Sequence, residues 1–291
     1  MTSAAVVIAS AGRPAVLADG LRSCAGLAGV DFTGVVSVPD EHSLPDDPAV
    51  LDGWQVVSGV RGASAQRNNA LRALDGVDVV AFFDDDSVVR PDYLRNAVAF
   101  LDAHPEVLGL TGRVLLDGAT GPEIPLTTAT AALDRSSAEV PSGRWRPSRT
   151  LYGCNFVVRI GRVPHVRFDE RLPLYSWLED HDLARRLLKL GPLAKVDDCV
   201  IVHRGAASGG RKAHVRLGYS QVMNPVHLVG TGSFPVGLAA REIGRPVAKN
   251  VLYSLIGRSS GPWRRERLRG NAMAAADALR GRITPERILD L

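Results

Sequence analysis

The sequence predicts an α/β protein, a mostly parallel mixed sheet flanked by helices. Three observations predict it. Short apolar runs alternate with helix-like amphipathic segments from residue 4 to residue 104. The 291 residues suffice for one substantial core with an appendage. Apolar residues at 45% and charged residues at 23% are ordinary globular usage, which excludes a disordered chain or a fibrous repeat.

Ala4 to Ala9 reads as the first strand, followed by a helix over Pro14 to Leu27 that has its proline where a first turn tolerates one. Val35 to Val38 and Gln55 to Val57 are strands, and Ser64 to Leu74 is a helix with Ser64 as its cap. Val77 to Phe83 is the most apolar strand, and Pro91 to His104 a helix opened by its proline. Val107 to Leu116 gives another strand. Residues 117 to 150 then lose periodicity and become rich in Gly, Pro, Ser and Thr, the composition of a long functional loop. Phe156 to Ile160 is a strand, Glu179 to Leu190 an amphipathic helix and Lys195 to Val202 a strand. The core is expected to end near residue 212, giving one domain over 1–212 and a helical C-terminal extension over 213–291.

The net charge of +4 is unevenly placed: residues 241–291 hold eleven Lys and Arg against five Asp and Glu, which leaves the rest slightly acidic. A basic tail on a nearly neutral body suggests docking to phosphate groups or anionic lipid, and does not suggest a nucleic-acid-binding body. Cys24, Cys154 and Cys199 lie far apart, without the spacing of a disulfide framework or a cysteine zinc site, so a reducing cytoplasm is expected. The first residues lack the pattern of a signal peptide. Residues 217–240 contain no Lys, Arg, Asp or Glu, but Pro225, Pro235 and several glycines favour buried or interfacial helices over a spanning one. Arg241 to Arg269 interleaves Leu252, Leu255, Ile256 and Trp263 with arginines, as a membrane-surface helix, an oligomer contact or a solvated face packed on the core would.

Chemistry is concentrated in a few strings. Phe82-Phe83-Asp84-Asp85-Asp86-Ser87 closes the most apolar strand, where open α/β sheets bind ligands. Three adjacent carboxylates repel, and a divalent cation held by one or two of them plus substrate phosphate oxygens relieves the conflict; a polar turn leading into the next helix is the plain alternative. In Trp177-Leu178-Glu179-Asp180-His181-Asp182, acids at a helix start complement its dipole, yet one beside a cleft can serve as a general base. His203 follows a strand and precedes a glycine-rich loop with Arg204, Arg211 and Lys212, fit either to complete a metal shell and close over diphosphate or to be an ordinary basic loop. Cys154 reads as a small buried side chain, and Trp177 as a sugar-stacking or core aromatic.

Taken in order, these strings resemble the family 2 glycosyltransferases, which have the GT-A fold. The matching residues are Ala9-Ser10-Ala11-Gly12-Arg13, Gly62 with Gln66-Arg67-Asn68, Phe83-Asp84-Asp85-Asp86, Tyr152-Gly153-Cys154-Asn155, Phe168-Asp169-Glu170 and Trp177-Leu178-Glu179-Asp180, spanning about residues 4–212. The resemblance implies that Ala9, Ala11, Arg13, Asp40 and Gly62 belong to the nucleotide-binding side, and that Arg67 lies near the nucleotide. It implies that Asp84 and Asp85 face the nucleoside, that Asp86 ligates a Mn²⁺ or Mg²⁺ bridging the diphosphate, to which His203, read from its own position, would add a ligand, and that Asp180 is the catalytic base. The usual Pro-Thr-Tyr of the first turn is here Ala9-Ser10-Ala11, without the aromatic partner for the base.

The function so implied is an inverting, metal-dependent transfer of sugar from a nucleoside diphosphate, with a UDP-sugar as expected donor, to a saccharide or lipid-linked saccharide hydroxyl. The expected setting is cytoplasmic, peripheral on the inner face of the cell membrane, with a homo-oligomer as one use of the C-terminal helices. Two alternatives stand beside it: a sugar-nucleotide nucleotidyltransferase, against which the single glycine of Ala9 to Arg13 counts, and a catalytically inactive GT-A-like membrane-peripheral binding protein, against which the intact acidic strings count.

Overall fold

A computed structural model describes residues 2–119, 121–138, 140–206, 213–256 and 261–291. The chain forms two compact units: Met1–Arg61, Ala65–Phe168 and Leu183–Ala207 make the first, and Gly62–Ser64, Asp169–Asp182 and Ser208–Leu291 the second.

The first unit is built on one mixed sheet of nine strands: β1 (Ala4–Ala9), β2 (Phe32–Val38), β3 (Trp54–Ser58), β4 (Val79–Asp84), β5 (Ser87–Val89), β6 (Gly109–Asp117), β7 (Trp145–Ser148), β8 (Asn155–Val158) and β9 (Leu193–His203). Their order is β3-β2-β1-β4-β8-β6-β9-β5, with β7 also on β9. β3, β2, β1 and β4 run parallel, β8 is antiparallel to β4 and β6, and β9 is parallel to β6.

The central strands are apolar without interruption because both of their faces are covered. Alternation sorts them cleanly. Val6, Ile8, Ala81 and Phe83 join one core with Leu17 and Leu21 of α1 (Pro14–Ala25) and Leu94 and Leu101 of α3 (Tyr93–Ala103). Val7, Val80 and Phe82 join another with Leu71 of α2 (Ala63–Arg72) and Leu183 and Leu187 of α5 (Glu179–Leu187). Cys24, Cys154 and Cys199 are buried thiols.

Three local expectations need correction. Residues 117–150 are not one loop, since they hold α4 (Leu126–Ser137) and β7. Ala129, Ala132, Leu133 and Ser136 give α4 a buried stripe against Val88, Val200 and Val202, but a stripe of small residues has little contrast with its Thr-rich neighbours. Ser64 is not a cap: α2 starts at Ala63, and the Ser64 N–H donates to Ser176 Oγ at 3.1 Å within the second unit. Pro91 lies before the first turn of α3, whose flanking residue is Asp92.

The second unit contains α6 (His214–Gly230), α7 (Val236–Ile256) and α8 (Gly261–Leu279). Residues 217–240 are therefore split between two helices, and no described helix is long and apolar enough to cross a membrane.

Candidate active site

Topology assembles the acidic string with residues far away in sequence. β4 ends at Asp84, the chain turns through Asp85 and Asp86, and β5 opens at Ser87, whose strand partner is His203 at the end of β9. His203 also pairs with Asp117 at the end of β6, and Asp84 with Ala9 at the end of β1. Strand ends from β1, β4, β6 and β9 thus meet at one edge of the sheet.

Asp84, Asp86 and His203 each offer a ligand atom, and these atoms lie within 4.8 Å of one another. Two carboxylates and an imidazole form a donor set suited to Mn²⁺, with carboxylates alone also serving Mg²⁺. The ring is oriented from behind: His203 Nδ1 lies 2.8 Å from Asp117 Oδ1, which turns Nε2 toward Asp86 Oδ1 at 3.4 Å. Tyr152 donates to Asp117 Oδ2 at 2.6 Å. Burial would lower the pKa of His203, but hydrogen bonds to Asp117 and Asp86 and the charges of Asp86 and Asp84 hold it well above its ordinary value. Burial would raise Asp86, and the His203 hydrogen bond and charge, with Arg13, hold it below the usual carboxylate range.

Asp85 is fully buried and stands outside that cluster. It accepts from Ser10 Oγ at 2.5 Å and Arg13 Nε at 3.0 Å, and Arg13 Nη2 makes a second contact. Burial pushes its carboxyl up to about 7, against the opposing pull of Arg13. α1 packs directly over this residue because Gly20 has no side chain; a Cβ there would lie 2.4 Å from the Asp85 carbonyl oxygen. Asp85 is therefore joined to Arg13 and Ser10, whereas Asp84 and Asp86 cluster with His203, Arg13 also reaching Asp86 Oδ2 at 3.9 Å. Arg13→Ala would strand a buried carboxylate, and is expected to lower unfolding stability by about 3 kcal/mol, the low end for breaking a buried pair because Arg13 is 16% exposed. Urea denaturation checks this.

The string Gln66-Arg67-Asn68 ties the edge together. Gln66 Nε2 donates to the carbonyls of Ser10 at 2.6 Å and Ser37 at 2.7 Å, joining the ends of β1 and β2. Arg67, 3% exposed, donates from Nη2 to Asp84 Oδ1 and to Gly153 O, both at 2.9 Å, while its guanidinium lies over Phe156 and Phe168. Asn68 exchanges hydrogen bonds with the Phe168 backbone. Arg67 thus meets the site by way of Asp84. The turn after β1 carries Ala9, Ala11 and Arg13, and its Gly12 N–H donates to Ser43 Oγ at 2.9 Å, which donates to Asp40 Oδ1 at 3.0 Å. Ala9, Ala11, Arg13, Asp40, Arg67, Asp84, Asp85, Asp86 and His203 all lie in the first unit.

Gly62 and Asp180 belong to the second unit. Gly62, at φ +144°, bridges Leu174, and a Cβ there would lie 2.9 Å from the Leu174 nitrogen. Ser176 Oγ accepts from Ser64 N–H and donates to Leu172 O at 2.6 Å. Leu174, Ser176 and Leu178 all have positive φ, of 58°, 52° and 74°. Such backbone costs of order 1–3 kcal/mol per residue and persists where surrounding bonds hold it, often at functional sites. The strained segment delivers Glu179, Asp180 and Asp182 to the first turn of α5. Glu179 and Asp182 are buried, at 8% and 2% exposure; Asp180 is partly exposed and accepts from His181 N–H at 2.7 Å. Trp177 packs against an apolar cluster around Leu172, Leu178 and Leu228.

Arg204 is drawn into ion pairs with Asp19 at 2.8 Å and Glu123 at 3.1 Å, and Arg211 and Lys212 lie outside the described residues. Asp117 and Tyr152 are the residues that sequence reasoning missed as a pair. The available signal was an acid at the end of a strand, the position that drew attention to Asp84. A cavity of about 760 Å³ lined by Thr2, Asp31 and Asp102 opens at the opposite, N-terminal ends of β1 and β2, away from these groups.

Residues 53–144 match the family described as "Glycosyl transferase family 2". No curated protein sequence matches the chain. Among solved structures, the TarS 1-349 fragment of S. aureus is similar at 14% identity and a TM-score of 0.57, over 99% of this chain and 85% of that one. The same fragment in complex with UDP-GlcNAc gives 12% identity and 0.52, over 99% and 85%. A mannosyltransferase, PcManGT from Pyrobaculum calidifontis, in complex with GDP-Man and Mn²⁺, gives 17% and 0.53, over 99% and 78%. These likenesses are in fold.

Proposed function

We propose that this chain is a glycosyltransferase of family 2, a reading supported by the match of residues 53–144, and that it transfers a sugar from a nucleoside diphosphate to a hydroxyl acceptor with inversion, dependent on a divalent cation. The observation that carries the reading is the convergence of Asp84, Asp86 and His203, with Asp117 fixing the imidazole. A saccharide or lipid-linked saccharide is the acceptor class, and a UDP-sugar the first donor to test.

Residues of the first unit have distinct tasks in this reading. Asp84, Asp86 and His203 would hold Mn²⁺ or Mg²⁺. That cation would supply positive charge for the diphosphate as it leaves. Ala9, Ala11 and Arg13 on the β1 turn and Asp40, linked to that turn through Ser43, bind the nucleoside. Arg13 also neutralises Asp85, and Arg67 acts from behind by orienting Asp84. In the second unit, Gly62 keeps the Leu174 segment in place.

Asp180 accepts the acceptor's proton as the oxygen forms its bond to the anomeric carbon. The bond from that carbon to the phosphate oxygen breaks, and its electron pair leaves with the diphosphate. With one carboxylate base and no covalent sugar intermediate, attack comes from the face opposite the leaving group and the anomeric configuration inverts.

A thermal-shift screen of UDP, GDP, their sugars and CTP-type triphosphates, each with and without Mn²⁺, tests the donor class. A sugar nucleotide or its diphosphate should stabilise the protein only when Mn²⁺ is present, by ~2.7 kcal/mol at a concentration ~100 times its dissociation constant. Stabilisation by triphosphates alone would favour a nucleotidyltransferase, and a response to none would favour an inactive fold relative.

A further inference from the structure

Helix α7 has two faces of opposite character. Ala239, Asn250 and Ser254 are buried. Asn250 Nδ2 donates to Gln221 Oε1 and to Asn271 Oδ1, both at 3.0 Å, and its own Oδ1 accepts from Arg264 Nη1 at 2.9 Å. This buried amide network sets the rotation of α7 on α6 and α8, and hence which residues face outward.

The outward face begins with Arg241, Arg245 and Lys249, spaced four apart, and continues through Leu252, Leu255 and Ile256 on the same side. Leu252 is 50% exposed, Leu255 80% and Ile256 66%. The acid on this helix, Glu242, is half-buried beside Arg241 at 3.8 Å, so no carboxylate stands on the exposed stripe. Three cations followed by a bare apolar end call for an occupant with negative charge at one level and hydrocarbon at the next.

We propose that this face of α7 docks on an anionic lipid bilayer, with Leu252, Leu255 and Ile256 entering the headgroup boundary and Arg241, Arg245 and Lys249 lying among the lipid phosphates. A second copy of the chain fits less well. An antiparallel two-fold pairing of this face sets each apolar end against the other copy's cations, and a parallel one sets cations against cations, in both cases with no carboxylate on the stripe to meet them. The inference goes beyond the transfer reaction and does not depend on it.

Flotation of the full chain with vesicles of phosphatidylcholine alone, and of phosphatidylcholine with about 30 mol% phosphatidylglycerol, tests it. The protein should float with the anionic vesicles and stay behind with the neutral ones. Leu255→Asp with Ile256→Asp should cut the floating fraction at least ~10-fold. Arg241→Gln, Arg245→Gln and Lys249→Gln together should abolish the preference for anionic vesicles, each cation contributing about fivefold. All variants should keep the wild-type melting temperature and donor response, since none of these side chains is buried; a variant that fails this control is replaced by the other in the comparison. Absence from anionic vesicles, equal flotation with both kinds, or unchanged flotation in both variants would overturn the proposal. So would a wild-type dimer on light scattering that Leu255→Asp and Ile256→Asp convert to monomer without any vesicle binding.

Discussion

Asp86→Ala is expected to remove Mn²⁺-dependent binding of a nucleoside diphosphate while leaving the protein folded. Asp86 shares the Asp84, Asp86 and His203 cluster, and its Oδ1 lies 3.4 Å from His203 Nε2, so its loss removes a donor atom and the charge that steadies the ring. Calorimetric titration of UDP or GDP with Mn²⁺ present should show affinity lower by about 100-fold or more, because loss of even an outer partner of a metal ligand costs about 10–100-fold. Asp117→Asn supplies that smaller comparison, since it touches His203 Nδ1 and stands outside the ligand cluster. Its effect should be a loss of about 10–100-fold in Mn²⁺ affinity. Asp86 also accepts the Ala206 N–H at 2.7 Å, so circular dichroism and the melting temperature of the metal-free protein are measured alongside. Equal nucleotide affinity in wild type and Asp86→Ala, with Mn²⁺ present, would remove the metal from the mechanism.

The contrast between Asp85 and its neighbours shows where sequence reading reaches its limit. Period and composition made the strands legible, because β1 and β4 are apolar on both faces, as strands of a covered parallel sheet are. The acidic string was legible as chemistry for the same reason, standing at the end of such a strand. Which of its three carboxylates turns inward was not legible. That is decided by Arg13, Ser10 and the missing side chain of Gly20, residues 65 to 75 positions away that only the folded sheet brings together. Asp117 was hidden similarly: it gains meaning through the pairing of β6 with β9, a parallel contact 86 residues apart in sequence. Helix α4 went unread because Ala and Thr give a weak hydrophobic period, and tertiary contact with Val200 and Val202 sets its buried face. Gly62 was singled out by resemblance alone, while its φ of +144° and its closeness to Leu174 supply the physical reason for a glycine there.

Asp180→Asn is expected to lower sugar transfer by about 10²–10⁴-fold with the fold and donor affinity retained, because the amide keeps the shape of the carboxylate but cannot take the acceptor's proton. The three acids at the start of α5 differ in burial, and that difference ranks them. Glu179 and Asp182, at 8% and 2% exposure, sit in the first turn, where their charge complements the helix dipole. Glu179→Gln and Asp182→Asn should therefore appear chiefly as losses of stability, up to ~2 kcal/mol each for partly buried charges at a helix end. Asp180 is partly exposed on a segment whose Leu174, Ser176 and Leu178 are held at positive φ, so its replacement should spare the melting temperature and strike the rate. The measurement is initial transfer rate and melting temperature for all three variants, with a donor identified by the thermal-shift screen. Transfer that persists in Asp180→Asn and vanishes in Glu179→Gln or Asp182→Asn would move the base to a buried position. Transfer unaffected in all three would leave the proton without a carboxylate acceptor on α5, and the inverting mechanism would have to find its base in His181 or elsewhere in the chain.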